Sequence, residues 1–376
     1  MKKLLCSLLV LVVALSLVAV ACTQPAPAPS PAPAPAPAPT AAPAPKPTTA
    51  PAPAPAPAAP GKTFELKFAT FTPATHHLNK NVVEPWKKMV EQLSDGRIQV
   101  KLFPGGVLGQ TKEAYDYVKK GMADVALVIP IYHPGVFPLS DVMTLPFGVP
   151  GTGHVESGVF QRLYDRILSP EFKDIHVLGV AQSTGYAMIS RTEILKPADA
   201  KGKILRTSGG MQTNVVESWG ASDTAVPIAE SYEALQKGIV DGVIHAPASF
   251  YSYKLHEVAK YYLELGLPGA TLLWTMNKDY YSKLPKDLQI VVDYAGKFMG
   301  SWTAESYYGG DIEARVAFAK AGIKMHTPTA AELDALAKGS MYLWTDWAKQ
   351  MDAKGLAGTK VVEAFKDELL RYGIQR

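Results

Sequence analysis

The sequence predicts an α/β protein of two similarly built lobes that face each other across a cleft. Three observations predict it. A short helical segment occurs twice, as Asn81-Val82-Val83-Glu84-Pro85-Trp86 and as Asn214-Val215-Val216-Glu217-Ser218-Trp219. Downstream of each copy comes a second matched pair, "AYDYVKKGMADVALV" from Ala114 and "SYEALQKGIVDGVIH" from Ser231. A long helical pattern that begins at Lys286 exceeds what either lobe needs, so it is expected to lie across both. Strands alternating with helices indicate largely parallel sheets, and a cleft between lobes is where small ligands bind.

In the first lobe "ELKFAT", ending at Thr70, alternates as a strand does. After the Thr72-Pro73 turn, Val83, Trp86, Met89, Val90 and Leu93 fall at helical spacing, and Asp95-Gly96 stops the helix. "RIQVKLF" is a second strand. A helix through Tyr115 and Val118 ends at Gly121, and the apolar run "VALVIP" suits a strand covered on both faces. The second lobe repeats the order: strand "KILRT", a Ser208-Gly209-Gly210 loop, a helix to Gly220, strand "TAVPI", a helix to Gly238, strand "GVIHA". Asp124 and Asp241 stand three residues after matching glycines, where Asp serves turns. Trp86 and Trp219 recur at one helical place and read as core. Gly309-Gly310 interrupts the long helix and is expected to let it bend. Ala330 to Met351 reads as a further helical stretch.

The ends carry different signals. Lys2 and Lys3 precede an apolar run that closes with Ala19-Val20-Ala21-Cys22. A charged start, an apolar stretch and small residues read as an export signal over residues 1–21. Cys22 at the cut is expected to carry lipid, as in a bacterial lipobox, with Ala19 in place of the usual Leu. Residues 22–61 are nearly all Pro and Ala, a composition that favours extended polyproline II. At ~3.1 Å per residue such a stalk reaches on the order of 100 Å. The chain has two Cys, Cys6 and Cys22, so the body has no disulfide and no thiolate metal site. No metal and no cofactor is expected. A net charge of +4, without a basic cluster, argues against nucleic acid.

The residues that read as a site lie at strand ends, where open parallel sheets gather ligands. Arg206 ends the first strand of the second lobe, and its planar guanidinium can hold a carboxylate through two parallel hydrogen bonds. Thr207 and Ser208 follow it, and the Ser208-Gly209-Gly210 loop is expected to offer free N–H groups at a helix start. Phe71, Thr72 and His76 follow the first strand of lobe one. Tyr132 and His133 follow its third. His245 and Phe250 hold the matching place in lobe two. Tyr186 is an aromatic neighbour, and Trp274 follows an expected lobe crossing. Enzyme machinery is not legible: G-x-S-x-G is absent, and His256-Glu257 is followed by Lys260 where a metal-binding H-E-x-x-H needs His. A lipid-anchored hydrolase is therefore disfavoured.

From Phe64 to about Trp347 the chain resembles the substrate-binding proteins of TRAP (tripartite ATP-independent periplasmic) transporters, C4-dicarboxylate-binding type. The resemblance rests on "DGRIQVKLFPGGVLG", "GMADVALV", "TLPFGVP", "LKPADAKGKILRTSG", "YEALQKGIVDG", "LPKDLQIVVDYAGK" and "AKAGIKM", all in the family's order. It implies a two-lobed, periplasmic-binding-protein-like fold of type II kind with a long helix spanning both lobes. Residues 62–185 and 270–300 are expected to form lobe I, and 186–269 and 301–376 lobe II. It implies capture of a small organic acid by hinge closure, with Arg206 on the carboxylate, and delivery to the small and large membrane subunits of a permease. No catalysis is implied, and nothing demands more than a monomer. Many relatives carry another Arg upstream, where Gly185-Tyr186 stands here. One cationic anchor points to a monocarboxylate with an apolar or aromatic body. A binding protein of the ABC-importer kind, or one feeding a membrane sensor, is the alternative.

Overall fold

The computed structural model describes residues 62–375 apart from residue 225; the export signal, Cys22 and the Pro/Ala stretch lie outside the described residues. The described residues belong to one unit. Its strands in chain order are β1 Phe64–Ala69, β2 Ile98–Phe103, β3 Val125–Val128, β4 Ile175–Gln182, β5 Tyr186–Ser190, β6 Ile204–Arg206, β7 Ser222–Asp223, β8 Gly242–His245, β9 Tyr261–Leu267, β10 Thr271–Asn277 and β11 Lys324–His326. The helices are α1 Glu84–Leu93, α2 Ala114–Lys119, α3 His154–Leu163, α4 Met211–Ser218, α5 Ser231–Lys237, α6 Pro247–Ser252, α7 Lys278–Lys283, α8 Lys286–Lys320, α9 Ala330–Ser340, α10 Tyr342–Ala353 and α11 Gly358–Arg371.

The strands form two sheets, ordered β2-β1-β3-β10-β4 and β11-β9-β5-β8-β6-β7. Each contains the repeat as a parallel trio, β2-β1-β3 and β7-β6-β8. The sheets are mixed rather than largely parallel, the latter being the arrangement expected from the sequence. β10 runs antiparallel to β3 and β4, and β5 antiparallel to β8 and β9. The reason is the connectivity: β4 leads straight into β5 of the other sheet, and β9 leads straight back into β10. The second predicted strand of the second lobe is also shorter and earlier, Ser222–Asp223, and residues 228–230 already form a helical turn.

The repeat extends to hydrogen bonds. The Asp124 carboxylate accepts from Lys67 N at 2.8 Å, while Asp124 N donates to Lys67 O at 2.9 Å. Asp241 does the same with Ile204 at 3.0 and 2.8 Å. Each Asp thus satisfies both backbone groups of a strand residue, beyond simple turn chemistry. Trp86 is fully buried, whereas Trp219 is half-buried.

Two short segments, 183–185 and 268–270, carry the chain between sheets. They lie side by side: Ser183 N donates to Ala270 O at 2.9 Å, and Gln182 Nε2 to Gly269 O at 2.6 Å. Helix α8 is the third link, continuous over 35 residues and through Gly309-Gly310. It lies close on β4: a Cβ at Gly296 would meet Leu178 O at 2.5 Å, and one at Gly300 would meet Val180 O at 2.6 Å. The stretch from Ala330 breaks at Met341 into α9 and α10. α10 and α11 pack on the first sheet's side, where Trp344 Nε1 donates to Pro146 O at 3.0 Å and Arg166 meets Asp367 and Glu368. No helix of the described residues is long and apolar enough to cross a membrane.

Candidate ligand-binding site

The loops after β1 and β3 meet those after β6 and β8, and a narrow cavity lies between them. It holds about 370 Å³ of non-protein space, mouth included. Phe71, Thr72 and His76 line it from the β1 loop, and Tyr132 from the turn after β3. Tyr186, Ile228, His245, Ser249 and Tyr253 line it from the second lobe, and Tyr307 from α8. Asn79 fixes the β1 loop. Its Nδ2 donates to Pro73 O at 2.7 Å and Thr72 O at 3.0 Å, and its Oδ1 accepts from Thr70 Oγ1 at 2.9 Å. A single π-helical turn, Asn79–Val83, leads from there into α1.

Arg206 ends β6 with its side chain fully buried. Nε donates to Val226 O at 2.7 Å, and Nη1 to Ile244 O at 3.3 Å and Ser208 Oγ at 3.4 Å. Nη2 donates across the lobes to the Tyr132 hydroxyl at 3.1 Å. Every partner is a neutral oxygen, and no carboxylate of the described residues is within ion-pair distance. A buried charge is costly unless paired, so this arrangement favours an anion beside Tyr132.

The other polar groups are held neutral. His245 stacks on Tyr186 at 4.7 Å. Burial, then the charge of Arg206, holds its imidazole well below the usual range. His76 stacks on His77 at 4.3 Å and lies 5.5 Å from Tyr253. It too is held well below its usual range, by burial first and by His77 next. His77 is pushed down to about 3 by burial; its Nδ1 lies 2.8 Å from Ser306 Oγ on α8. Burial raises the phenols of Tyr186, Tyr253 and Tyr307. The hydroxyls of Tyr186 and Tyr253 are buried without a hydrogen-bond partner among the described residues.

Of the residues singled out in the sequence, Phe71, Thr72, His76, Tyr132, Tyr186 and His245 therefore line the cavity. Arg206 lies fully buried behind that lining, bonded to Tyr132 and to Ser208. Four are placed elsewhere. Thr207 shapes the turn, its Oγ1 accepting from Gly209 N at 2.9 Å. His133 sits beside Tyr115 inside lobe one, where burial lowers its pKa to about 4. Phe250 packs near Phe318 in the second lobe's core. Trp274 is enclosed in the first, edge-on to Phe68, with Nε1 donating to Thr303 Oγ1 at 2.8 Å. The expected free N–H groups are also in use: Gly209 N bonds Thr207, and Ser208 N bonds Gln212 Oε1 at 3.1 Å. Sequence reasoning missed Tyr253 and Tyr307. Their only signal was an aromatic ring a few residues beyond a strand end, or on the buried face of α8. No group of three or more His, Cys, Asp or Glu among the described residues is arranged to hold a metal ion.

The sequence matches the family model described as bacterial extracellular solute-binding protein, family 7, over residues 68–350. The chain belongs to this family. A solute-binding protein of Albidiferax ferrireducens is 28% identical over 276 residues, 69% of this chain and 76% of that one. A marine metagenome TRAP solute-binding protein specific for aromatic acid ligands, solved with 3-hydroxybenzoate, is 26% identical. It superposes with a TM-score of 0.78 over 83% of this chain and 99% of its own. A TRAP solute-binding protein from Rhodoferax ferrireducens, solved with copurified benzoate, gives the same identity, TM-score and coverage. The family is that of extracytoplasmic TRAP-type binding proteins, which bind small organic acids, work with TRAP membrane subunits and are not enzymes.

Proposed function

We propose that this protein captures a small monocarboxylate with an apolar or aromatic body and hands it to the small and large membrane subunits of a TRAP permease. The carrying observation is Arg206, a buried guanidinium bonded only to neutral oxygens where the two lobes meet. Among the described residues no Lys, Arg, Asp or Glu lines the cavity, and Arg206 stands behind it at Tyr132, so a second carboxylate has no partner there. Phe71, Ile228, Leu127, Ile129 and Tyr186 form an apolar wall for the ligand body. The aromatic acids held by the two solved relatives suit such a wall.

Capture proceeds by closure about the 183–185 and 268–270 crossings, with ligand contacts to both lobes stabilising the closed form. In this proposal α10 and α11 move with the first sheet, against which they pack, rather than with the second lobe as the linear reading has it. The protein acts as a monomer, tethered through lipid on Cys22 at the end of the Pro/Ala stalk. Labelled fatty acid incorporated into the native chain and lost in Cys22→Ser supports the anchor; equal labelling of both removes it.

The test of the site is native mass spectrometry of protein purified without refolding, followed by calorimetry. Benzoate and 3-hydroxybenzoate are expected to bind, and succinate and malate to bind at least roughly tenfold more weakly, a difference of about 1.4 kcal/mol. Tighter binding of the dicarboxylates overturns the monocarboxylate reading.

A further inference from the structure

Two histidines face the cavity from opposite lobes, His76 after β1 and His245 at the end of β8. In each, Nδ1 is already committed. Leu78 N donates to His76 Nδ1 at 3.2 Å, and Ala246 N donates to His245 Nδ1 at 2.9 Å. A backbone N–H only donates, so each Nδ1 presents a lone pair, and a neutral ring then carries its proton on Nε2. Neither Nε2 has a hydrogen-bond partner among the described residues. Each imidazole has beside it a phenol without a hydrogen-bond partner among the described residues, Tyr186 against His245 and Tyr253 near His76. Burial and the Arg206 charge keep His245 from taking a second proton, and burial does so for His76.

The cavity thus offers two imidazole N–H groups, with the Arg206 guanidinium just behind its wall at Tyr132. It offers no anion, because no Asp or Glu among the described residues lines it. Asp311, the buried carboxylate near α6, is already bound to Ala248 N at 2.8 Å. Arg206 and His245 stand at the ends of neighbouring parallel strands, with Arg206 in register with Val243, so a group bound to His245 lies near the carboxylate. We infer that His76 and His245 are specificity residues which donate from Nε2 to an uncharged oxygen close to the ligand's carboxylate. The solute is then an oxo- or hydroxy-substituted monocarboxylate, and the matching amino acid is rejected because its ammonium would face Arg206 with no counter-ion. This rests on the carboxylate reading of Arg206 given above, and it adds which second group the site selects.

Calorimetry on the full-length protein in detergent tests it with two matched sets. One is phenylacetate, benzoylformate, mandelate and phenylglycine; the other is 4-methylpentanoate, 4-methyl-2-oxopentanoate and leucine. In the set that fits the cavity, the oxo or hydroxy acid is expected to bind roughly tenfold or more tightly than the unsubstituted acid, and the amino acid to give no heat. His245→Phe and His76→Phe keep an aromatic ring and should abolish the preference, read as the ratio of the substituted to the unsubstituted acid's affinity within each variant. His245→Gln places an amide N–H near the Nε2 position and should restore part of the preference, which a purely structural role would not do. Equal affinity for substituted and unsubstituted acids in the native protein, binding of an amino acid, or a preference that survives both Phe variants overturns the inference and leaves the Arg206 reading standing. If no acid of either set binds, the inference falls, and if benzoate and 3-hydroxybenzoate also fail to bind, the Arg206 reading falls with it.

Discussion

Arg206 combines two tasks, and its substitutions separate them. Its Nε and Nη1 hold the Val226 and Ile244 carbonyls, while Nη2 points to Tyr132 across the cleft. Arg206→Ala is expected to weaken ligand binding by ~2–4 kcal/mol, about 30- to 1,000-fold. Arg206→Lys keeps the charge and loses the planar fan of donors, so a loss of about 10- to 100-fold is expected. Both should also lower the thermal midpoint without ligand, because buried carbonyls lose their donors. Calorimetry beside a ligand-free melt checks this, and native affinity in the Lys variant would show that charge alone suffices. The place of Arg206 at the end of β6 was legible because strand periodicity fixes where a strand ends. Phe250 and Trp274 were misplaced for the complementary reason. Trp274 lies within a strand buried along its whole length, where alternation gives no face. Phe250 follows the right strand, but α6 turns it inward.

At the scale of elements, neighbouring glycines in α8 do different things. The sequence reading was a bend, yet the helix runs on through both. A Cβ on Gly309 would meet nothing within 4 Å, whereas one on Gly310 would come 2.9 Å from Ala248 Cβ. Gly310 therefore sets how closely α6 approaches α8, and α6 leads from Ser249 to Tyr253 in the cavity wall. Gly309→Ala should stabilise the protein by up to ~1 kcal/mol through helix propensity and leave affinity unchanged. Gly310→Ala should cost ~1–3 kcal/mol by overpacking and weaken binding roughly tenfold as α6 is displaced. Urea unfolding and calorimetry on the pair decide it, and identical behaviour of the two variants would refute the proximity role. A glycine's need for close approach depends on a partner far away in sequence, so it was not legible beforehand. The strands β4, β5, β9 and β10 went unassigned for a related reason. Their pairing joins segments on either side of a whole lobe, and no local pattern reports it.

For the molecule as a whole, the repeat was the legible part, because it specifies two parallel trios and the strand ends around which the cavity forms. What it did not specify is how much neutral, buried imidazole the closing of these lobes collects, and that has a measurable consequence. His76, His77, His133 and His245 all titrate lower in the folded protein than in the unfolded chain, chiefly through burial. Below pH ~6.5 the unfolded chain therefore binds protons that the folded one refuses, and stability falls as pH falls. Asp141 and Asp311 act in the opposite sense. Burial raises them to about 7 and about 6, so the folded protein holds protons there that the unfolded chain has lost, and stability rises as pH falls through those values. Glu171, also raised by burial, joins them at the acid end. Near pH ~5.5 the four histidines outnumber the two Asp, so the histidine sign prevails and stability falls on acidification. Urea unfolding at constant ionic strength should thus show lower stability at pH 5 than at pH 6. Ligand affinity should stay level from pH 6 to 8, since neither His76 nor His245 changes charge in that range. A flat or rising stability on acidification would mean that these imidazoles accept protons in the folded state, and the neutral donor pair at the heart of the cavity would then have to be abandoned.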